Sequence, residues 1–244
     1  MIGIVVVSHS PALADAAVAL ALEMVAGAPP PIAVAAGAGD GVVGTDAIAV
    51  AAAIDEVASP DGVLVFMDLG SAVLSASMAL EFTATDVEVR LSDAPFVEGV
   101  VAGIVLAAAG ATLDDAAREA SSAMTAKNAQ LESAPPADPQ TPAPVVDGAV
   151  TAEAEAEAEA TIVNDVGLHA RPASVIVAKM AEFDARVQIA DADDPTRSAP
   201  AGSLLALMGL GLGKGTRLRI SGTGPDAAAA VEWVRATTAD GYGE

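Results

Sequence analysis

A proline-rich segment followed by a Glu-Ala repeat divides this 244-residue chain and limits how it can fold. Five of the 15 prolines fall within Pro135–Pro144, and Glu alternates with Ala over Glu153–Ala160. Proline lacks a backbone N–H and favours extended backbone, whereas a run of like charges stays solvated. We therefore predict a linker at 133–160, with its Glu-Ala part transiently helical. It would join two small domains at 1–132 and 161–244.

The charge and composition of the chain exclude several classes of partner. The net charge of −22 is divided into −14 for residues 1–132, −6 for 133–160 and −2 for 161–244. A surface this negative repels the phosphates of nucleic acids and of anionic lipid, and the 2% of aromatic residues offers little for stacking on bases. With no cysteine and two histidines, thiolate and His-rich metal sites are excluded. We expect no nucleic acid, membrane or metal as a partner.

The apolar segments of the chain are too short to predict a membrane span. They consist mostly of Ala and Val, and they break at Gly, Pro or Asp well before the roughly 18 residues that a span requires. The N-terminal MIGIVVVSHS has no basic region and no tripartite signal layout. We therefore expect a soluble, cytoplasmic protein.

Strand and helix patterns alternate over residues 1–132. The predicted strands are IGIVVVS, PIAVAA, GVLVFMDLG and DVEVRL, and the predicted helices are Pro11–Ala26, Thr45–Val57, Ser71–Phe82, 96–109 and 112–131. This alternation predicts an α/β domain, a parallel sheet with helices on both faces. His9 follows the first strand, the GAGDGVVGTD turn follows the second, and Asp68 follows the third. Because ligands bind beyond the carboxyl ends of such strands, we expect these segments to converge.

The pattern after residue 160 predicts a small α+β domain. EATIVN, ARVQIA and TRLRISG are strand-like, and TRLRISG alternates with the period of two that is typical of a half-exposed strand. Helices are predicted after GLHARPAS, at Gly202–Leu210 and at Asp226–Ala236.

The two histidines both lie at the start of a predicted helix. His9 precedes Ser10, a predicted N-cap, and Pro11, while His169 lies in G-L-H-A-R-P-A. A lone histidine is more often structural than functional, but free N–H groups and the positive end of a helix dipole favour a bound phosphate. The same surroundings disfavour an imidazolium and leave a neutral, nucleophilic nitrogen. The residues therefore predict two phosphohistidine sites.

Residues 163–174, V-N-D-V-G-L-H-A-R-P-A-S, resemble the active-site segment of HPr, the histidine phosphocarrier of the PEP:sugar phosphotransferase system. The resemblance continues through S-L-L-A-L-M-G-L-G-L-G-K-G-T-R-L-R-I-S-G. It implies an open-faced β-sandwich of four antiparallel strands and three helices. It also implies that His169 is phosphorylated, that Arg171 binds the phosphoryl group and that Pro172 starts the helix. Ser203 corresponds to a serine that is phosphorylated in some HPr proteins, although its alternative role is a helix cap.

Residues 1–132 resemble the mannose-type enzyme IIA domains. The matching segments are G-I-V-V-V-S-H-S, D-G-V-V-G-T-D, V-L-V-F-M-D-L-G-S-A and A-P-F-V-E-G. D-L-G-S-A and A-P-x-V-E-G are typical of the branch that serves PEP-dependent dihydroxyacetone kinases. The resemblance implies that His9 is phosphorylated and that Asp68 orients its ring. Gly70, Ser71 and Thr45 would line the pocket.

The two resemblances together imply a phosphoryl relay. The phosphoryl group of PEP would pass through a separate enzyme I to His169, then to His9, and then to ADP on a kinase subunit that phosphorylates dihydroxyacetone. LGLGKGTRL is not a Walker A motif, because Gly215 follows Lys214, so ADP and Mg²⁺ are expected only on the partner kinase subunits. No permanently bound cofactor is expected, only a transient phosphohistidine. A sugar-specific IIA–HPr fusion that feeds a permease and a regulatory protein are the alternatives, and a homodimer stays open.

Overall fold

The computed structural model of the chain describes residues 1–25, 27–39, 42–132 and 156–243. The chain divides into two compact units, Met1–Met124 with Ala170–Ala181, and Thr125–His169 with Glu182–Glu244. The predicted linker falls largely on 133–155, outside the described residues.

The first part of the chain alternates strands and helices as predicted. Its elements are β1 (Gly3–Ser8), α1 (Pro11–Leu22), β2 (Ile32–Ala36), α2 (Ala47–Val57), β3 (Val63–Met67), α3 (Gly70–Ala79), β4 (Val89–Leu91), α4 (Phe96–Ala108), α5 (Leu113–Ser121) and α6 (Ala123–Glu132). The strands form one parallel sheet in the order β2-β1-β3-β4. This confirms the predicted α/β fold, with β1 and β3 at the centre of the sheet.

The two central strands are buried on both faces, which explains their unbroken apolar sequences. On one face, Val5 and Val65 belong to a core that includes Val50 of α2 and Ala76 of α3. On the other face α4 approaches so closely that a Cβ on Gly103 would lie 2.4 Å from the Phe66 ring. Helices therefore cover both faces, and the ends of β1 and β3 are fixed side by side.

The last predicted helix of this part, 112–131, is in fact two helices. α5 ends at Ser121, and Ser122 is its C-cap before α6 begins at Ala123. The Ser122 hydroxyl donates to the Glu119 carbonyl at 2.8 Å. Serine side chains compete in this way for helix carbonyl groups, which explains the break.

The remaining elements follow the order expected of an HPr-like domain. They are β5 (Ala156–Thr161), α7 (Ala170–Met180), β6 (Arg186–Asp191), β7 (Ser198–Pro200), α8 (Leu204–Gly209), β8 (Arg217–Thr223), α9 (Ala227–Ala239) and a 3-10 turn (Gly241–Gly243). The four strands form an antiparallel sheet in the order β5-β8-β6-β7. α9 packs on this sheet, over the buried Leu218 and Ile220 of β8. The open-faced α+β fold is confirmed.

Strand β5 corrects one prediction. It begins at Ala156, inside the range predicted to be a transiently helical linker, and it pairs with β8 from Ala156 to Thr161. Glu157 and Glu159 are exposed, whereas Ala160 between Glu159 and Thr161 is buried. Ala and Glu favour helix, but their alternation here also matches the period of a strand, and pairing with β8 decides the outcome.

Within the described part of the chain, no helix combines the length and the apolar character that crossing a membrane requires.

Candidate functional site

His9 lies between β1 and α1, at the carboxyl end of the parallel sheet. β1 ends at Ser8, and Ser10 is the N-cap of α1, its Oγ accepting the Leu13 N–H at 3.4 Å. Pro11 occupies the first helical position, where no N–H is needed. Ser10 is therefore the N-cap of α1, as the sequence predicts. The His9 side chain is 15% exposed, so it is largely enclosed but still open to solvent.

The neighbouring strand β3 brings Asp68 against His9. Oδ1 of Asp68 lies 2.8 Å from Nδ1 of His9 and accepts the Leu69 N–H at 2.7 Å. Oδ2 accepts the His9 backbone N–H at 2.8 Å and the Ser8 hydroxyl at 2.9 Å. The carboxylate therefore holds both the backbone and the ring of His9, in the orienting position that the sequence predicts for Asp68.

The hydrogen bonds around Asp68 also fix its charge. Burial by itself raises the pKa of this carboxyl group, but donation from the His9 backbone and ring, from Ser8 and from the Leu69 N–H outweighs burial. The net effect lowers the pKa of Asp68 below its ordinary value of 3.8. The side chain is therefore an ionised carboxylate at neutral pH, and it acts only as a hydrogen-bond acceptor.

The ionised carboxylate determines which ring nitrogen of His9 is the nucleophile. Nδ1 faces an acceptor, so in the neutral ring it carries the hydrogen and Nε2 has the lone pair. Nε2 lies 2.6 Å from the Ser71 hydroxyl, which is then the donor. The arrangement presents Nε2 of His9 for attack on an electrophile, once Ser71 releases it.

Nε2 of His9 faces the beginning of α3. This helix starts at Gly70, directly after Leu69, and Ser71 lies in its first turn. The first N–H groups of a helix have no partner within it, and the helix dipole makes this end positive. Because Nε2 contacts Ser71 in the first turn, a phosphoryl group on Nε2 would lie near this positive end of the helix, which favours a dianion.

Thr45 lies in the loop after β2, and its predicted place in the lining of the pocket stays a prediction. Its hydroxyl pairs with the Ser75 hydroxyl at 2.8 Å, which joins the loop after β2 to α3. The neighbouring Gly44 N–H donates to the His9 carbonyl at 3.4 Å, so the loop also contacts the site. Sequence reasoning missed both Ser8 and Ser75. The sequence did contain one signal for Ser75: it lies four residues after Ser71 and therefore on the same face of the helix.

His169 follows a tight turn in the second unit. Gly167 has a φ of +79°, and a Cβ there would lie 2.3 Å from the Leu212 carbonyl oxygen. The Leu168 N–H donates to that oxygen at 2.8 Å, and the His169 N–H donates to the Gly167 carbonyl at 3.0 Å. Only glycine fits this backbone, and the close contact sets the direction in which His169 leaves the turn.

Helix α7 begins immediately after His169, at Ala170. The prediction that Pro172 starts this helix is wrong by two residues. Proline is nevertheless tolerated there, because it still lies in the first turn, where N–H groups lack helical partners. Arg171 is exposed, and its carbonyl accepts the Ser174 hydroxyl at 2.8 Å. Its predicted role as a phosphoryl ligand stays a prediction.

Ser203 is a helix cap in this structure. Its Oγ accepts the Ala206 N–H at 3.1 Å at the start of α8. The cap is the structural alternative that the sequence left open, and phosphorylation of Ser203 stays untested.

Both parts of the chain match known families. Residues 3–117 match the family described as PTS system fructose IIA component, and residues 156–240 match that of the PTS HPr component phosphorylation site. The whole chain is 38% identical, over 253 aligned residues, to the PEP-dependent dihydroxyacetone kinase phosphoryl donor subunit DhaM of Klebsiella michiganensis. The chain therefore combines a IIA domain and an HPr domain of the phosphotransferase system, and its second part belongs to the HPr family.

Two further relatives match the whole chain or its second part alone. The Escherichia coli DhaM is 36% identical over 249 residues, which cover 100% of this chain and 51% of that protein. Phosphocarrier protein HPr of Haloferax volcanii is 45% identical over 76 residues, 31% of this chain and 84% of that protein. The chain spans about half the length of the DhaM relatives that it matches, of which it covers 51%.

Proposed function

We propose that this chain relays phosphoryl groups from PEP to dihydroxyacetone phosphorylation, through phosphohistidines at His169 and His9. The observation that carries the proposal is the similarity to DhaM phosphoryl donor subunits, which covers 100% of the chain. The geometry at His9 supports it, because a nitrogen nucleophile, an orienting carboxylate and a helix N-terminus lie together there.

In the proposed relay each step moves one phosphoryl group between nucleophiles. Enzyme I, phosphorylated by PEP with release of pyruvate, donates to His169 of the HPr domain. His169 then donates to Nε2 of His9, and His9 donates to the β-phosphate of ADP on a kinase subunit, which forms ATP. Phosphorylation of enzyme I breaks the P–O bond of PEP, and each later transfer breaks one P–N bond and forms one P–N or P–O bond. Positioning and charge stabilisation are the main requirements of such transfers.

Asp68 would act at His9 through its charge. When Nε2 bonds to phosphorus while Nδ1 keeps its hydrogen, the ring becomes cationic. The carboxylate 2.8 Å from Nδ1 stabilises that cation, and it holds the ring in the orientation that attack requires. In the reverse direction the same ring leaves as a neutral imidazole. A single side chain thus serves both acceptance and donation of the phosphoryl group.

The proposal also specifies what the chain would need from its partners. ADP and Mg²⁺ would be bound by a partner kinase subunit rather than by this chain, and the only phosphoryl intermediates held here would be the two phosphohistidines. Enzyme I would supply the phosphoryl group to His169. We further propose a cytoplasmic location, since all of these steps use soluble donors and acceptors.

A second candidate function is a sugar-specific IIA–HPr fusion that feeds a permease. It is favoured by the multiphosphoryl transfer protein of Haemophilus influenzae, which is 34% identical over 124 residues. That similarity covers 47% of this chain, whereas the similarity to DhaM covers all of it. We therefore rank the dihydroxyacetone relay first.

The decisive experiment is reconstitution. Purified chain, enzyme I, PEP, ADP and the dihydroxyacetone kinase subunits are combined, and dihydroxyacetone phosphate is measured. We expect product that depends on every component and that is lost in both His9→Ala and His169→Ala. Phosphorylation of both histidines without any dihydroxyacetone phosphate would instead favour the permease relay.

A further inference from the structure

Asn164 lies in the turn that leads to His169, and neither the family resemblance nor the proposed relay gives it a role. It follows β5 and Ile162, five residues before His169. Its side chain is buried, with a relative exposure of 7% for the residue. A buried amide costs free energy unless it is hydrogen-bonded, so its contacts indicate what it holds in place.

The Asn164 side chain closes the turn on itself. Nδ2 donates to the Gly167 carbonyl oxygen at 2.8 Å, and the Gly167 N–H donates back to the Asn164 carbonyl at 3.3 Å. A carbonyl oxygen only accepts, so the atom that faces Gly167 is the amide NH₂ group. The side chain thereby spans the turn from its first residue to its last.

The Gly167 carbonyl connects the side chain of Asn164 to the backbone of His169. The same oxygen that accepts Nδ2 of Asn164 also accepts the backbone N–H of His169, at 3.0 Å. Gly167 packs closely against the loop after α8, where the Leu212 carbonyl oxygen lies 2.3 Å from the position that a Cβ on Gly167 would take. The peptide that carries His169 is therefore held between Asn164 on one side and Leu212 on the other.

The 3-10 turn Gly241–Gly243 packs against the segment that contains Asn164. Gly241 lies against this segment, where its Cβ would come within 3.3 Å of Val163 and 3.8 Å of Asn164. Gly241 begins the 3-10 turn, in which Tyr242 adopts a φ of +62° and contacts the Thr238 hydroxyl at 3.0 Å. Because the side chain of Asn164 is buried, solvent does not readily replace its bond to Gly167.

We propose that Asn164 is a positioning residue for phosphoryl transfer at His169. The proposal rests on the proposed function, because it assumes that His169 is a phosphoryl acceptor. Asn164 acts through its hydrogen bond to the Gly167 backbone rather than through a reacting atom. It restricts the backbone before His169 so that the ring is presented in one orientation. Loss of this restriction lowers the fraction of encounters that reach the reactive geometry and leaves the docking surface unchanged.

The test compares Asn164→Ala with Asn128→Ala in the full chain. Asn128 is an exposed residue of α6, so its replacement removes the same amide from a different element of the chain. Enzyme I and PEP are supplied, and phosphorylation of His169 is followed at several concentrations of the chain. We expect kcat to fall about tenfold in Asn164→Ala, the effect of one lost hydrogen bond, while KM stays within about twofold. Asn128→Ala should match the wild type.

Each outcome of this test decides the matter. Absence of labelling in the wild type would refute the proposed function itself. Normal labelling of the wild type with an unchanged kcat in Asn164→Ala, or with a change in KM alone, would refute the positioning role. If Asn164→Ala is unfolded at the assay temperature, Asn164→Ser is measured in its place, because it is smaller but retains a donor. A lower melting temperature with wild-type kcat would mean that Asn164 serves stability only.

Discussion

Asp68 contacts His9 at two points: Oδ2 accepts the His9 backbone N–H, and Oδ1 pairs with Nδ1 of the His9 ring, each at 2.8 Å. One carboxylate therefore fixes both the backbone position of His9 and the orientation of its ring. The two residues are 59 positions apart in the sequence, and they meet because β1 and β3 are adjacent and parallel. Replacement of Asp68 should therefore affect chemistry more than folding.

We predict that Asp68→Asn slows transfer from His169 to His9 by about a hundredfold. The amide loses the charge that stabilises the phosphorylated ring, and it can present its NH₂ group to Nδ1. About four orders of magnitude, the effect of the equivalent exchange in a serine protease triad, is the upper limit. Rapid-quench kinetics of His9 labelling measures the change. Wild-type kinetics in this variant would remove Asp68 from the site.

The same carboxylate predicts a pH dependence of stability. The pKa of Asp68 is lower in the folded state than its ordinary value of 3.8, so its ionised form favours folding. This contribution is fully present above pH 3.8 and is lost as the pH falls through the folded-state pKa. Calorimetry of wild type and Asp68→Asn should show a difference in unfolding free energy that is constant near neutrality and changes below pH 3.8. A change between pH 5 and 7 would point to another group.

Ser71→Ala should slow phosphorylation of His9 by about tenfold, less than Asp68→Asn. The hydroxyl lies 2.6 Å from Nε2, so after transfer it can turn to a phosphoryl oxygen, and such a bond contributes about 1.5 kcal/mol, the lower end of the usual range for a bond to a charged group. Ser77→Ala, an exposed position on the same helix, is the matched control and should be neutral. Equal effects of the two substitutions would indicate a general disturbance of α3.

Gly103→Ala should destabilise the chain by about 1–3 kcal/mol, the usual cost of overpacking. The new methyl group would lie 2.4 Å from Cζ of Phe66, in the interface between α4 and β3. Gly202→Ala is the control, since a Cβ there meets nothing within 4 Å. Denaturant unfolding followed by circular dichroism measures both. A neutral Gly103→Ala would show that α4 can move away from the sheet.

Transfer from His169 to His9 should be mainly intramolecular. Between α6 and β5 lie the 23 residues 133–155. A flexible chain of that length would have a mean end-to-end distance of roughly 25–30 Å, which gives an effective concentration in about the millimolar range. A mixture of His9→Ala chains with His169→Ala chains should therefore regain activity only weakly and in proportion to concentration. Wild-type activity of the dilute mixture would show that the fusion gives no proximity advantage.

Labelling by enzyme I and PEP should be lost in His169→Ala. The expected label is stable in base and labile in acid, because protonation makes the imidazole a good leaving group. Acid stability would indicate phosphorylation of a hydroxyl group instead.

The sequence predicted the parallel sheet well, because its buried strands are unbroken apolar runs. It also predicted the carboxyl end of the sheet as the site, because polar side chains follow the ends of those strands. The positions of His9 and Asp68 followed from this. The three-residue strand β7 was missed, because so short a segment carries no detectable period. Asn164 and Ser75 were missed for another reason. Their roles depend on which loop lies opposite them, and only tertiary structure determines that.

Because of strand β5, it matters whether the Glu-Ala repeat changes in length by an odd or an even number of residues. The strand lies at the edge of its sheet, paired only with β8, and every second side chain faces inward. Deleting one residue within it would turn the glutamates toward the core and the alanines toward water, whereas deleting one Glu-Ala pair would restore the same faces. Variation in the length of this repeat should therefore be accepted in steps of two residues, so the repeat can change the reach between the domains without disturbing the sheet.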